Sequence, residues 1–197
     1  MMHKMLLDLP IRIETHRLVL RPYKSGDGSW FYAMSHRNRA HLRRYEAENV
    51  VMTVKSAEGA EVLVRELAAE WVARSCFFLG VFDKTTDEFV AQIYIGPIGW
   101  ELPDFTVGFF ADVDHQGQGY VTEAVTAALQ FIFNHLHAHR VQIECDDTNL
   151  RSCRVAERCG FIREGQLREN KMNPNGHISG TLLYGMLKGD YERFYES

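Results

Sequence analysis

Residues 105–136 constrain the fold more than any other part of the chain. An apolar, strand-like run at 105–111 leads through Asp112-Val113-Asp114-His115 into Gln116-Gly117-Gln118-Gly119, and these glycines open onto the most regular amphipathic stretch of the sequence, 122–136. There Ala124, Val125, Ala128, Leu129, Ile132, Phe133 and Leu136 recur at i, i+1, i+4, i+5 and i+8, the spacing of a helix buried along one face. A strand that turns on two glycines into a helix aims unpaired backbone N–H groups and the positive end of the helix dipole at one point. Such a point binds phosphate or pyrophosphate without needing lysine. The plainer alternative is that Gly117 and Gly119 serve only a tight turn. A Walker A loop would need Lys-Ser/Thr where Tyr120-Val121 stand, and a dinucleotide fingerprint would need a third glycine at Thr122, so both are excluded.

A local anion device matters because the chain has no global one. Lys plus Arg is 22 against 26 Asp plus Glu, a formal charge of −4, so no broad basic field exists to draw in nucleic acid or an anionic membrane. The longest apolar run, 76–82, is far short of the roughly 20 residues that span a bilayer. Residues 5–10 are broken by Asp8 and lack a small-residue cleavage site, so a cytoplasmic location is expected. Cys76, Cys145, Cys153 and Cys159 have no CxxC spacing and read as buried thiols in a reducing compartment, with no metal site expected.

The remaining patterns fall in order. Ile11, Ile13, Leu18 and Leu20 alternate with charged residues, as in a strand or a bulged pair of strand pieces ended by Pro22. A first helix is expected from an Asp27 cap, and a second over 54–74 with Leu63, Leu67 and Trp71 on one face. Residues 76–82 and 89–95 read as a hairpin, 141–145 as a strand with one wet face, and Asn149 to Gly160 as a short capped helix. Residues 161–171 and 177–187 read as strands joined by a turn at Asn173-Pro174-Asn175-Gly176. The order β-α-α-β-β-β-α-β-α-β-β predicts an α+β sandwich around one twisted sheet. One domain is expected over 11–188, with tails at 1–10 and 189–197.

With these elements in place, the sequence resembles the GNAT acetyltransferase superfamily, in its RimJ/RimL-like branch. Gln116-Gly117-Gln118-Gly119-Tyr120-Val121 is similar to that family's Q/R-x-x-G-x-G/A pyrophosphate loop, and Tyr120-Val121-Thr122-Glu123-Ala124 to the branch's G-Y-x-T-E-A form. Glu14-Thr15-His16-Arg17-Leu18-Val19-Leu20-Arg21-Pro22, Asn149-Leu150-Arg151-Ser152, Gly160-Phe161-Ile162-Arg163-Glu164-Gly165 and Leu183-Tyr184 follow the branch in the same order. Two positions depart from it: Val121 stands where the loop prefers Gly or Ala, and Ser179-Gly180 where the branch often has an acidic residue.

The resemblance implies a three-layer α/β sandwich with a central, mostly antiparallel twisted sheet flanked by helices, acetyl-CoA as co-substrate, and transfer of its acetyl group to a primary amine by direct attack in a ternary complex. The strand end at Phe110 and Ala111, the loop Gln116, Gly117, Gln118, Gly119, Tyr120, Val121 and Thr122, and Asn149 are the implied coenzyme contacts. Ser152 is the implied proton donor to the departing thiolate. From the residues alone, Asn149 and Ser152 equally suit a helix cap and its first turn. No general base is singled out among Glu101, Asp104, Glu169 and His177. His135, His137 and His139 read as imidazoles meeting a helix C-terminus. Arg37, Arg39, Arg43 and Arg44 form a solvated face or border the acceptor. The acceptor is a protein N-terminus, ribosomal in the nearest branch, or a small-molecule amine, and the enzyme a monomer or homodimer. A CoA-binding regulatory module without transfer chemistry is the alternative, and a nucleotide-phosphate binder a third reading.

Overall fold

The computed structural model describes residues 3–172 and 176–195. The expected turn at 173–176 therefore falls mostly outside the described residues. Two short N-terminal strands, β1 (Ile13–Glu14) and β2 (Leu18–Pro22), form a tight antiparallel hairpin closed by the Thr15 N–H on the Leu18 carbonyl. The alternation at 11–20 thus belongs to a chain folded back on itself, pairing Ile13 with Leu20. Two helices follow, α1 (Gly28–Leu42) and α2 (Ala57–Ala73), with a 3-10 turn at Val50–Thr53 between them. Then come β3 (Phe77–Asp83), β4 (Phe89–Gly99), β5 (Asp104–Ala111), α3 (Tyr120–His135), β6 (Arg140–Asp146), α4 (Leu150–Arg158), β7 (Ile162–Met172), β8 (Ile178–Leu187) and α5 (Lys188–Tyr195).

The eight strands form one sheet in the order β1-β2-β3-β4-β5-β6-β8-β7, antiparallel throughout except for β5–β6. That parallel pair requires a crossover, and α3 supplies it. Alternation along the strands splits the core in two. Leu18, Leu20, Phe77, Leu79, Val81, Ile93, Phe105 and Val107 face α3, with its buried Ala124, Val125, Ala128, Leu129 and Ile132. Tyr23, Phe82, Phe89 and Phe110 face the opposite way, into a second cluster under Phe31, Met34, Val64 and Leu67 of α1 and α2. Helices on both faces make the expected three layers. In α2 the buried positions are Ala60, Val64, Leu67 and Trp71, while Val72 is exposed.

Three local expectations shift. Asp27 does precede α1, but its carboxylate turns away to Arg21, Trp30 Nε1 and the Lys24 N–H; Glu61 of α2 accepts from the Gly28 N–H instead, at 3.0 Å. The strand expected to stop at residue 95 runs on through Gly96-Pro97 to Gly99, where the register slips. Both segments expected as tails pack: Leu7 is buried in the main core, and residues 188–195 form α5. Tyr191 stacks on Phe133 of α3 at 4.6 Å, and the Tyr195 hydroxyl donates to the Cys159 carbonyl at 2.9 Å. Among the described residues no helix is long and apolar enough to cross a membrane.

Because Tyr191 is 3% exposed, Tyr191→Ala is expected to cost about 3 kcal/mol in urea unfolding. A change within about 0.5 kcal/mol, the usual range for a surface site, would show that α5 is a loosely attached end.

Candidate active site

Strands β5 and β6 pair over only three rows, Asp104 with Arg140, Phe105 with Val141 and Thr106 with Gln142, and then diverge. Beyond Thr106, β5 is bonded to β4 alone, and beyond Gln142, β6 is bonded to β8 alone. The inner edges of 107–111 and 143–146 are therefore two facing rows of backbone donors and acceptors, to which an extended, amide-bearing ligand can add as a strand.

The turn after β5 has a backbone geometry that suits an anion. Gly117 and Gly119 have φ of 75° and 80°, a left-handed conformation that any side chain would strain, and Gly119 caps α3. The helical ladder starts with the Glu123 N–H on the Gly119 carbonyl at 3.1 Å, so the N–H groups of the turn before it point outward along the helix dipole. Phe110 turns its side chain into the second core cluster, so its available contact to a ligand is through the backbone; Ala111 pairs with Ala91 at the strand end. Val121, the departure in the loop pattern, packs against the main core and leaves the turn open.

Four tethers hold this turn. The Arg17 guanidinium donates to Glu123 Oε2 at 2.7 Å and to the Gln118 carbonyl at 3.1 Å, and lies 4.7 Å over the Tyr120 ring. Glu123 also accepts from Thr15 Oγ1 and the Arg17 N–H. Burial opposes ionisation of Glu123, but these bonds outweigh it and hold the carboxyl below its ordinary range. The Tyr120 hydroxyl donates to Asp83 at 3.0 Å. Gln116 bridges Arg151 and the ring of His41, which burial and Arg151 hold below its ordinary pKa in the neutral, accepting form. Finally, the fully buried Asp112 accepts from Arg37 at 2.7 Å and Asn38 at 2.7 Å, and Asn38 accepts from the Val113 N–H at 2.8 Å. Burial works against the Asp112 charge too, and is again outweighed by these bonds.

On the α1–α2 face lies a cavity of about 910 Å³, walled by the 44–50 loop, by Phe78, Gln92 and Tyr94 of β3 and β4, and by Phe109, Cys145 and Asp146 at the gap. Asn149 and Ser152 also line it, although α4 packs with α3 in the opposite layer through Cys153 and Ala156. The sheet is thus perforated between β5 and β6, and the start of α4 is visible through the opening. Asn149 Oδ1 accepts from the Ser152 N–H at 3.3 Å, as a helix cap does, while Ser152 Oγ sits 3.2 Å from Cys145 Sγ. Burial pushes the Cys145 thiol up to about 12, so it stays protonated.

Other candidate residues scatter. Glu101 and Asp104 stand at the closed end of β5, where Asp104 faces Arg140; Glu169 and His177 are exposed on or beside the outer strands, and none of the four lines the cavity. The carboxylates that do are Glu46, Glu48, Glu70, Glu144 and Asp146, which no sequence pattern marks. Of the arginine cluster, Arg37 is spent on Asp112, Arg39 donates to the Met52 and Val54 carbonyls, and Arg44 alone reaches the cavity rim. At the second departure, the Ser179 hydroxyl donates to Asp146 at 2.5 Å, and a Cβ on Gly180 would lie 2.4 Å from Asp147 Oδ2, so neighbouring carboxylates already occupy that corner. Among the described residues no group of three His, Cys, Asp or Glu side chains gathers as for a metal.

Comparison with known proteins places this geometry. Residues 17–162 match the family model described as an acetyltransferase (GNAT) domain. The Bacillus subtilis protein described as "Probable N-acetyltransferase YjcK" is 33% identical over 118 residues, 59% of this chain and 65% of that protein. The ribosomal-protein-S5-alanine acetyltransferase of Vibrio fischeri superposes with a TM-score of 0.79 at 22% identity, covering 92% of this chain and 99% of that one. RimJ of Mycobacterium smegmatis, solved with CoA-disulfide, has a TM-score of 0.79 at 20% identity, covering 96% and 91%.

The tethers generate a pH prediction. Asp112 and Glu123 both have folded pKa values below their unfolded ones, so the unfolded chain binds more protons in acid. Their contribution to stability is complete above about pH 5 and is lost as the pH falls through the folded values. Asp112→Asn is expected to flatten the acid limb of a urea-stability profile between about pH 6 and about pH 3. Asp112→Ala, which strands Asn38 and Arg37, should cost about 3 kcal/mol at neutral pH. An unchanged acid limb in Asp112→Asn would remove Asp112 from the account.

Proposed function

Since the chain belongs to the GNAT acetyltransferase family, whose co-substrate is acetyl-CoA, we propose that it acetylates a primary amine held in the cavity on the α1–α2 face. The coenzyme enters from the α3 side. One observation carries the reading: Asn149 and Ser152, rooted in the α3 layer, line the cavity of the other layer, so donor and acceptor meet at the β5–β6 opening. Pyrophosphate fits the outward N–H groups of the 116–122 turn, and the pantetheine amides fit the unpaired inner edges of β5 and β6. Asn149 stands where that arm would pass.

The chemistry follows from proximity. The amine nitrogen attacks the thioester carbonyl carbon, an oxyanion forms, and the carbon–sulfur bond breaks as the amide is made; holding both reactants in one channel removes much of the barrier. A backbone N–H on the inner edge of β5 can donate to the oxyanion. Ser152 gives its proton to the leaving thiolate. Its neighbour Cys145 is a protonated thiol at 3.2 Å, so that position adds no negative charge of its own beside the leaving sulfur.

Carboxylates outnumber the cations Arg44 and Lys171 around the cavity, which favours a cationic acceptor. A peptide N-terminus fits this description, and the similar fold of a ribosomal-protein acetyltransferase makes a ribosomal protein the acceptor to try first. Val121, the loop departure that would favour a coenzyme-binding module without chemistry, packs partly buried against the main core.

Free-thiol release from acetyl-CoA should appear with peptides bearing a free N-terminus or with polyamines, and Ser152→Ala should lower kcat by about 100-fold. Full turnover in Ser152→Ala with an unchanged pH profile would remove the serine from the mechanism. Tight acetyl-CoA binding without thiol release across the panel would make the chain a binding module. A melting temperature raised by ATP or NAD but not by CoA would replace the coenzyme.

A further inference from the structure

Transfer from a thioester to an ammonium needs a proton acceptor on the amine's side of the opening, and five carboxylates line that side. Their surroundings separate them. Asp146 has its oxygens engaged by the Ser179 hydroxyl, the Thr148 hydroxyl and the Thr148 N–H. Burial of Asp146 is outweighed by these bonds, which hold its carboxyl below the ordinary range and make it a weak base. Glu70 is bonded to the Cys76 thiol on the far wall. Glu48 and Glu144 are exposed. Glu46 is half-buried, and its carboxylate ends a polar chain reaching back into the protein.

That chain starts at the fully buried Tyr23, whose hydroxyl donates to Gln92 Oε1 at 2.8 Å. Gln92 Nε2 donates to Asn49 Oδ1 at 3.5 Å, and Asn49 Nδ2 to Glu46 Oε2 at 3.5 Å. Asn49 Oδ1 also accepts from the Val51 N–H at 3.1 Å, which fixes the amide. Two bonds hold the loop beside Glu46. Its own N–H donates to the Leu42 carbonyl at 2.7 Å, and the adjacent Tyr45 hydroxyl donates to the Thr148 carbonyl at 3.3 Å, across the cavity on the turn that leads to Asn149 and Ser152.

We infer that Glu46 is the general base of the transfer, with Asn49 as its positioning residue. The inference rests on the acetyl-transfer reading and names the residue that serves the acceptor side of it. The acceptor arrives as an ammonium. One proton passes from nitrogen to the Glu46 carboxylate and on to water, freeing the lone pair that forms the carbon–nitrogen bond. As the carbon–sulfur bond breaks, nitrogen sheds its second proton and sulfur gains one through Ser152, so amide, thiol and one released proton account for every atom.

The charged and titratable groups facing Glu46 are Lys171 from β7, Glu144, Cys145 and Asp146 from β6, Tyr94 from β4, Glu70 and Cys76 from the opposite wall, and Arg44, Tyr45 and Glu48 on its own loop. Burial raises the Glu46 carboxyl above its ordinary range, and the Asn49 bond and Lys171 offset only part of that. The raised value brings the base closer to working pH, where proton transfer is most efficient.

The test is the pH profile of kcat at saturating amine for the full chain, together with acetyl-CoA affinity by titration calorimetry. The wild type should show an acidic limb that falls as Glu46 is protonated. Glu46→Gln is expected to bind acetyl-CoA within about twofold of wild type, to lose about 100-fold in kcat near neutrality, and to replace the limb with a rate climbing as the amine deprotonates unaided. Glu46→Asp should restore part of the rate and the limb. Retention of the wild-type limb and rate in Glu46→Gln overturns the assignment, as does loss of acetyl-CoA binding, which would make Glu46 structural. A wild-type chain that releases no thiol with any amine overturns the transfer reading itself.

Discussion

The incomplete pairing of β5 with β6 is the constraint on which the rest depends. A parallel pair inside an antiparallel sheet obliges the chain to cross over one face, and the crossover helix begins where β5 leaves the sheet. After three paired rows the strands separate, and each keeps its outer neighbour, so the sheet tolerates the opening without losing its edges. The glycine turn, the exposed backbone edges and the view of Ser152 from the α1–α2 face all follow from that single divergence.

An opening of this kind would close or distort unless its rim were fixed, and residues distant in sequence fix it. Thr15 and Arg17 reach across to Glu123, while Arg37 and Asn38 reach Asp112 from the opposite layer. Both carboxylates are at least partly desolvated, so each depends on its partners and each partner is specified by it. The turn thereby presents backbone N–H groups from a frame whose own charges are already matched. A chain of net negative charge can bind a pyrophosphate this way without a basic surface.

Much of this was legible in the sequence where the signal is local. The strand-glycine-helix transition, the buried face of α3 and the Asn149 cap are written in consecutive residues, and their elements stand where periodicity places them. The failures are tertiary. Residues 188–195 carry only Tyr191, Phe194 and Tyr195 as large apolar groups, too few for a period, and become a helix because Phe133 offers a ring to stack on. Arg37 looks like one of a run of exposed cations until Asp112, 75 residues away, is brought beside it. Glu46 lies in an aperiodic loop of alternating charge; its partial burial and its place in the cavity come from the folding of that loop over β4 and β6, which no spacing encodes.

The Tyr45–Thr148 contact has a consequence of a different kind. It is a hydrogen-bonded link from the α1 loop to the turn before α4, and it is solvent-exposed, at 3.3 and 3.4 Å. A bond of that sort contributes about 1 kcal/mol. The loop that carries Glu46 and the turn that leads to Ser152 are therefore held in register with each other across the opening, although they lie about a hundred residues apart in the chain.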